Sequence, residues 1–180
     1  MAKVLAVTFA MSQSIEDLTA ILSEIPELTV TEPEIGFPVI EVQTPVSAAT
    51  IAVHGAQVLT WAPTDHPPVL YVSPKAKMTG GKALRGGIPI CWPWFGNHPE
   101  DPQMPSHGFA RTRFWELVSG EMVGKMATIV FKLVSDEETK ALFPFDFELT
   151  ATIRIADKLR VKLNMKNTGV EIYNVSAEIA

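Results

Sequence analysis

Proline and glycine cut this sequence into short pieces, and that limits what it can fold into. Fourteen prolines in 180 residues exceed the usual ~5%. Each removes a backbone donor and stops a helix, which argues against an all-helical bundle. Between the breaks lie short β-branched runs: Leu28–Thr31, Val39–Val42, Ala49–Val53, Gln57–Trp61 and Val69–Val72. His54-Gly55-Ala56 marks a bend between the third and fourth. Runs this close together predict antiparallel hairpins or a meander. Further strands are expected at Phe114–Ser119, Ala127–Val134, Phe147–Ile155 and Leu159–Asn167. In the last of these, Leu159, Val161, Leu163 and Met165 alternate with Arg160, Lys162, Asn164 and Lys166. That is a strand with one wet face.

Two short helices are expected. Ile15, Leu18, Leu22 and Ile25 recur at helical spacing over residues 14–25, behind a Ser14/Asp17 capping pair and ahead of Pro26. Ser135-Asp136-Glu137-Glu138 reads as a capping box that opens a helix through about Phe143, which Pro144 ends. Residues 1–30 thus form an arm and helix, and residues 31–180 one β-domain. The apolar stretch Val4–Met11 behind Lys3 is a poor secretory signal, and a short strand or loose arm suits it better. The final stretch Ile172–Ala180 is strand-like, with no turn or polar tail after it.

Composition excludes several functions. A 47% hydrophobic content rules out global disorder. A net charge of -5 makes a poor general binder of nucleic acid or anionic membrane, leaving only local basic pockets. No apolar run approaches the ~20 residues that span a bilayer. The single cysteine, Cys91, cannot close an internal disulfide, which favours a reducing compartment. Flanked by Ile90 and Trp92, it reads as a buried small hydrophobe rather than a nucleophile.

Residues 73–111 are where chemistry is expected. This stretch carries Gly80-Gly81, Gly86-Gly87, eight further Pro or Gly breaks, two Trp, two His and two Arg. The embedded Ile88, Ile90, Trp92, Trp94 and Phe95 argue that it is packed, and packed irregular backbone is where sites are built. Arg85 beside paired glycines offers a forked donor to phosphate or carboxylate, or is a solvated side chain at a tight bend. No Walker spacing is present. In Ser106-His107-Gly108-Phe109-Ala110-Arg111, His107 can carry a proton near neutral pH and Arg111 can hold an anion beside it. The alternative is a histidine bonded to a loop carbonyl. Trp92, Trp94, Phe95 and Phe109 are assigned mostly to core, with sugar stacking as the other use. His54, His66 and His98 carry little signal. His98 and His107 with Glu100 and Asp101 match no compact metal motif, so no metal is expected.

Two ordered motifs carry a resemblance. Gly81-Lys82-Ala83-Leu84-Arg85-Gly86-Gly87-Ile88-Pro89-Ile90-Cys91-Trp92-Pro93-Trp94-Phe95-Gly96, and Pro105 to Arg111 with Trp115, resemble the hexose-6-phosphate mutarotase family. This is the glucose-6-phosphate 1-epimerase branch of the aldose 1-epimerase superfamily. Gly55–Pro63, Leu70–Ser73 and Phe143–Phe147 support it, and the likeness runs from about residue 36 to the C-terminus. The resemblance implies a mainly β fold, an antiparallel β-sandwich of the galactose-mutarotase supersandwich type. It implies interconversion of the α and β anomers of a hexose 6-phosphate, with no cofactor. By position, Arg85, Ser106 and Arg111 match substrate- and phosphate-binding residues, and His107 a supporting catalytic histidine; at Ser106 other members can carry a larger amide. The family's acid histidine and base glutamate are expected beyond residue 180. The chain therefore reads as the N-terminal part of a longer enzyme, with an incomplete sandwich, poor solubility or partner dependence, and mutarotation near the uncatalysed rate by itself. The competing reading is a non-catalytic sugar-phosphate-binding module. A cytoplasmic location, a monomeric full-length protein, and no nucleic-acid or membrane partner complete the expectations.

Overall fold

A computed structural model describes residues 13–180. The stretch Val4–Met11, expected as strand or arm, lies outside the described residues. The chain forms two four-stranded antiparallel meanders around one core. The first contains β1 (Leu28–Glu34), β2 (Phe37–Thr44), β3 (Ser47–Ala52) and β4 (Gln57–Pro63) in sequence order. A two-residue strand β5 (Ile90–Cys91) follows. The second meander contains β6 (Glu116–Val123), β7 (Met126–Val134), β8 (Phe147–Ile155) and β9 (Leu159–Asn167), again in sequence order. The antiparallel β-sandwich expected from the sequence is therefore the fold.

The core follows from the period of two. In β7, Ala127, Ile129, Phe131 and Leu133 are buried, and in β8 Phe147, Leu149, Ala151, Ile153 and Ile155 are. They meet Ile40, Val42, Ala49, Ile51 and Val58 of the first sheet in one cluster. The alternation read in β9 is present. Its apolar row is only half covered, and Met165 is 50% exposed. A smaller cluster of Phe37, Val39, Ala52, Leu59 and Leu84 lies apart from it, packed with Val72, Ala76 and Met78 of the 72–84 loop. That loop leads into Arg85.

The helices form for the reasons read from the sequence, with shifted ends. Helix α1 (Ile15–Leu22) stops three residues before the expected Ile25. Its Ser14/Asp17 box is closed by both bonds, and Leu18 and Leu22 enter the main core. Helix α2 (Glu137–Leu142) corrects the expected box. The cap is Asp136, and its reciprocal partner is Thr139, not Glu138, because Asp136 Oδ1 accepts from the Thr139 N–H at 2.6 Å. Glu138 instead pairs with Arg113, as does Asp136. Burial works against ionisation of Asp136, but the Thr139 backbone N–H and the Arg113 guanidinium outweigh it and hold the carboxyl below its ordinary range. Replacing Asp136 with alanine is expected to lower stability by about 1–2 kcal/mol, read as a drop in the urea midpoint. An unchanged midpoint would show that the cap contributes nothing.

Two expected strands are corrected. Val69–Val72 is not a strand: Pro67 and Pro68 precede it, and only Val72 bridges, to Gly86. Of Ile172–Ala180, only β10 (Glu178–Ile179) pairs, antiparallel to β5. The earlier residues lack a sheet neighbour, and Ile172 is 93% exposed.

Candidate functional site

The 73–111 segment is threaded through the molecule by a series of backbone pairings. Gly86 bridges Val72, Ile88 bridges Val58 of β4, β5 pairs with β10, and Trp92 bridges Gly108. Side chains of this run explain its fixed course. Ile90, Trp92 and Trp94 are buried, and Trp92 packs edge-on against Phe109 and Phe143 and tilted against Phe147. Most of the aromatics are core, as expected, but Phe95 is 44% exposed. Its ring lies 4.8 Å from that of His107. Cys91 is buried, and burial pushes its thiol up, with Arg111 opposing and Glu178 adding to the shift. A buried, high-pKa thiol is a poor nucleophile.

The structure brings Ser106, His107 and Arg111 together. The Arg111 Nη2 donates to the Ser106 carbonyl at 2.8 Å. The His107 N–H donates to the Gly96 carbonyl at 2.6 Å, and the Gly96 N–H donates back to His107 Nδ1 at 3.1 Å. Nδ1 is thereby an acceptor, which places the ring proton of neutral His107 on Nε2. The ring is thus a donor with fixed orientation. His107 also holds φ 65, the left-handed region that a residue with a side chain seldom occupies. Such strain concentrates at functional sites. Ser106 is exposed, and its hydroxyl donates to the Gly96 carbonyl at 3.3 Å. Arg111 is half-buried, and its Nε has no hydrogen-bond partner among the described residues.

Arg85 makes no hydrogen bond to that cluster among the described residues. Its side chain is exposed and makes no hydrogen bond or ion pair among the described residues. An unpartnered guanidinium keeps all five donors for a ligand.

The other histidines have distinct places. His98 Nδ1 accepts from the Glu100 and Asp101 N–H groups, a local loop bond. No group of three or more His, Cys, Asp or Glu among the described residues is arranged to hold a metal ion. His54, which carried little signal in the sequence, is fully buried between Phe37 and Phe114. Burial pushes its pKa down to about 4, against a weaker opposing effect of the Thr112 carbonyl. Gln57, missed in the sequence, is also fully buried. The available signal was an amide inside the apolar run Ala56–Leu59, since a buried amide must find partners.

The profile of the aldose 1-epimerase family matches residues 38–177, which take in the first sheet from β2 onward, the whole second sheet and every residue of this site. The chain belongs to the aldose 1-epimerase family. A family relative from Escherichia coli (strain K12), named "Putative glucose-6-phosphate 1-epimerase", is 38% identical over 124 residues, 69% of this chain and 42% of that protein. A relative of the same name, from Cenchrus ciliaris, is 32% identical over 130 residues, covering 68% of this chain and 39% of that protein. Among solved members, the crystal structure of a "putative mutarotase (YeaD)" from Salmonella typhimurium has a TM-score of 0.75 at 35% identity, over 78% of this chain and 47% of that one. A galactose mutarotase-like protein from Clostridium acetobutylicum reaches 0.63 at 15% identity, which shows a shared fold. This aldose 1-epimerase family chain thus spans less than half the length of the Escherichia coli, Cenchrus ciliaris and Salmonella typhimurium relatives. No helix among its described residues is long and apolar enough to cross a membrane.

Proposed function

We propose that this chain binds a hexose 6-phosphate and supplies the phosphate-binding part of a site that interconverts its α and β anomers. The observation that carries this reading is the Ser106–His107–Arg111 cluster, with His107 Nδ1 occupied by the Gly96 N–H. Nε2–H is then the donor available to a sugar oxygen. Arg111 and the unpartnered Arg85 suit a phosphate, whose oxygens accept forked, charge-assisted bonds. The family membership and the names of the relatives point to the same substrate class.

In this reading the chemistry moves only protons. A base takes the C1 hydroxyl proton, the ring C1–O bond breaks, and an acid protonates the ring oxygen. Rotation about C1–C2 and the reverse steps give the other anomer. His107 polarises or orients a sugar oxygen, and the arginines anchor the 6-phosphate so that the reacting end is held in place. The resemblance assigns the acid histidine and base glutamate to positions beyond residue 180. Among the described residues no carboxylate bonds or ion-pairs with Ser106, His107 or Arg111. That favours binding without turnover as the second reading for residues 1–180 alone. A soluble protein acting in the cytoplasm fits the phosphorylated substrate and is part of the proposal.

Calorimetric titration tests the binding. Glucose 6-phosphate is expected to bind more tightly than glucose. Arg85→Ala and Arg111→Ala should each weaken the phosphorylated ligand about 10- to 100-fold, the loss expected for a charge-assisted hydrogen bond. Equal affinity of the wild-type chain for the two sugars would sink the proposal. Magnetisation exchange between the anomers of glucose 6-phosphate then separates the two readings. Catalysed exchange by residues 1–180 would remove the binding-only reading.

A further inference from the structure

Arg85 and Arg111 are carried by different loops, and one buried bend touches both. The bend is His54–Gln57, which follows β3 and ends on the first residue of β4. Toward the Arg85 loop it makes three bonds. The Gly81 N–H donates to His54 Nε2 at 3.2 Å. Gln57 Nε2 donates to the Gly86 carbonyl at 2.5 Å and to the Leu84 carbonyl at 3.4 Å. Those two carbonyls flank Arg85 on either side. Toward the Arg111 turn, the Gly55 N–H donates to the Arg113 carbonyl at 2.7 Å, and the Trp115 N–H donates to the Val53 carbonyl at 3.1 Å. His54 itself bridges Phe114 through its backbone.

The side chains involved are sealed from water. His54 and Gln57 are both 0% exposed. Buried polar groups are held by the bonds they make, because losing a partner leaves a desolvated group unpaired. The Arg85 side chain has no such tether among the described residues. Its position depends on its backbone, and the carbonyls on both sides of that backbone are bonded to one amide, Gln57.

We propose that the His54–Gln57 bend is the positioning element that holds the Arg85 and Arg111 backbones in fixed register, so that recognition of the phosphate depends on Gln57 acting through Arg85. This rests on the phosphate-binding reading above. Gln57 touches no ligand in this scheme. It narrows the range of Arg85 positions before binding, which lowers the ordering cost of capturing the anion. The sugar ring, held elsewhere, should not sense it.

A double-variant cycle tests the proposal in the full 180-residue chain. Affinities for glucose 6-phosphate and for glucose are measured in wild type, Gln57→Met, Arg85→Ala and the double variant. Backbone amide exchange at Gly81 and Gly87 is followed in each. Gln57→Met should weaken glucose 6-phosphate about tenfold, as for loss of a buried hydrogen bond, leave glucose unchanged and speed exchange at both glycines. On top of Arg85→Ala it should add less than about twofold, because coupled residues are not additive. Equal weakening of both sugars, or full multiplication of the two effects, overturns the proposal. If Gln57→Met does not fold, His54→Gln and His54→Phe replace it. Gln retains an acceptor for Gly81 and should bind glucose 6-phosphate as wild type does, whereas Phe should not; identical affinities overturn the proposal. If the wild-type chain fails to distinguish the two sugars, the function proposed above falls, and amide exchange alone decides this one. Undisturbed protection at Gly81 and Gly87 in Gln57→Met then overturns it.

Discussion

Replacing Gly108 with alanine is expected to cost about 4 kcal/mol or more and to abolish glucose 6-phosphate binding with it. Two effects add. Gly108 holds φ +67, which alone costs an alanine about 1–2 kcal/mol. The larger effect is space. A Cβ there would overlap the Trp92 carbonyl and meet Pro93 N at 2.8 Å. Both are backbone, so no flexible side chain can move aside. The Trp92 carbonyl also accepts from Phe109 and Ala110 at 3.0 and 3.2 Å, so it cannot turn away without losing those bonds. Displacing it would shift Trp92 inside its aromatic cluster and move the adjoining Ser106–Arg111 turn. Gly124→Ala is the control. It has a similar φ of +61 with nothing within 4 Å, so it should lose only the backbone part. Chemical denaturation of both variants decides the matter. Equal losses would mean that close approach at Gly108 contributes nothing.

Acidification should destabilise the protein by about 3 kcal/mol between pH 6.5 and pH 4 through His54 alone. Its folded pKa is held near 4 by burial, against 6.5 ordinarily. The unfolded chain therefore takes up a proton at a pH where the folded chain does not. In that window the unfolded state binds more protons, so stability rises with pH and falls on acidification. Above 6.5 both states are neutral at this group, and below 4 both are charged, so the slope vanishes at either end. The structural reason is that Nε2 accepts from Gly81 and the ring lies between Phe37 and Phe114. A charge there would be desolvated, and the Gly81 bond would be lost. The depressed carboxylates Asp17, Asp136 and Asp146 act lower, since their stabilisation is lost only as pH falls below about 4. Urea unfolding of wild type and His54→Gln from pH 7 to pH 4 separates the groups. The variant should lose the slope between pH 6.5 and 4. A slope that survives the substitution would place its origin elsewhere.

These two effects also mark how far the sequence could be read. The strands β2 to β4 and β7 to β9 were legible because alternation and turn residues are local signals, and β9 was read to its observed ends. Val69–Val72 failed because its residue types suit a strand while Pro67 and Pro68 precede it, and its backbone makes only scattered bonds, to Trp61 and Gly87, with one bridge from Val72 to Gly86. Arg85, Ser106, His107 and Arg111 could be singled out by residue type and motif. That Ser106, His107 and Arg111 are joined by hydrogen bonds, and that the Arg85 side chain has none among the described residues, could not.

Local chemistry is short-ranged, and the sequence by itself therefore determined the mainly β architecture, the capping of α1, the family and the loop that carries the candidate site. Only the tertiary structure decided that His54 and Gln57, at one bend, are buried between the two arginine-bearing loops. Their partners lie 27 and 29 residues away along the chain. No pattern along the sequence encodes a hydrogen bond over that span; it exists because packing removes water from both groups at once, and each then has only the other to satisfy it.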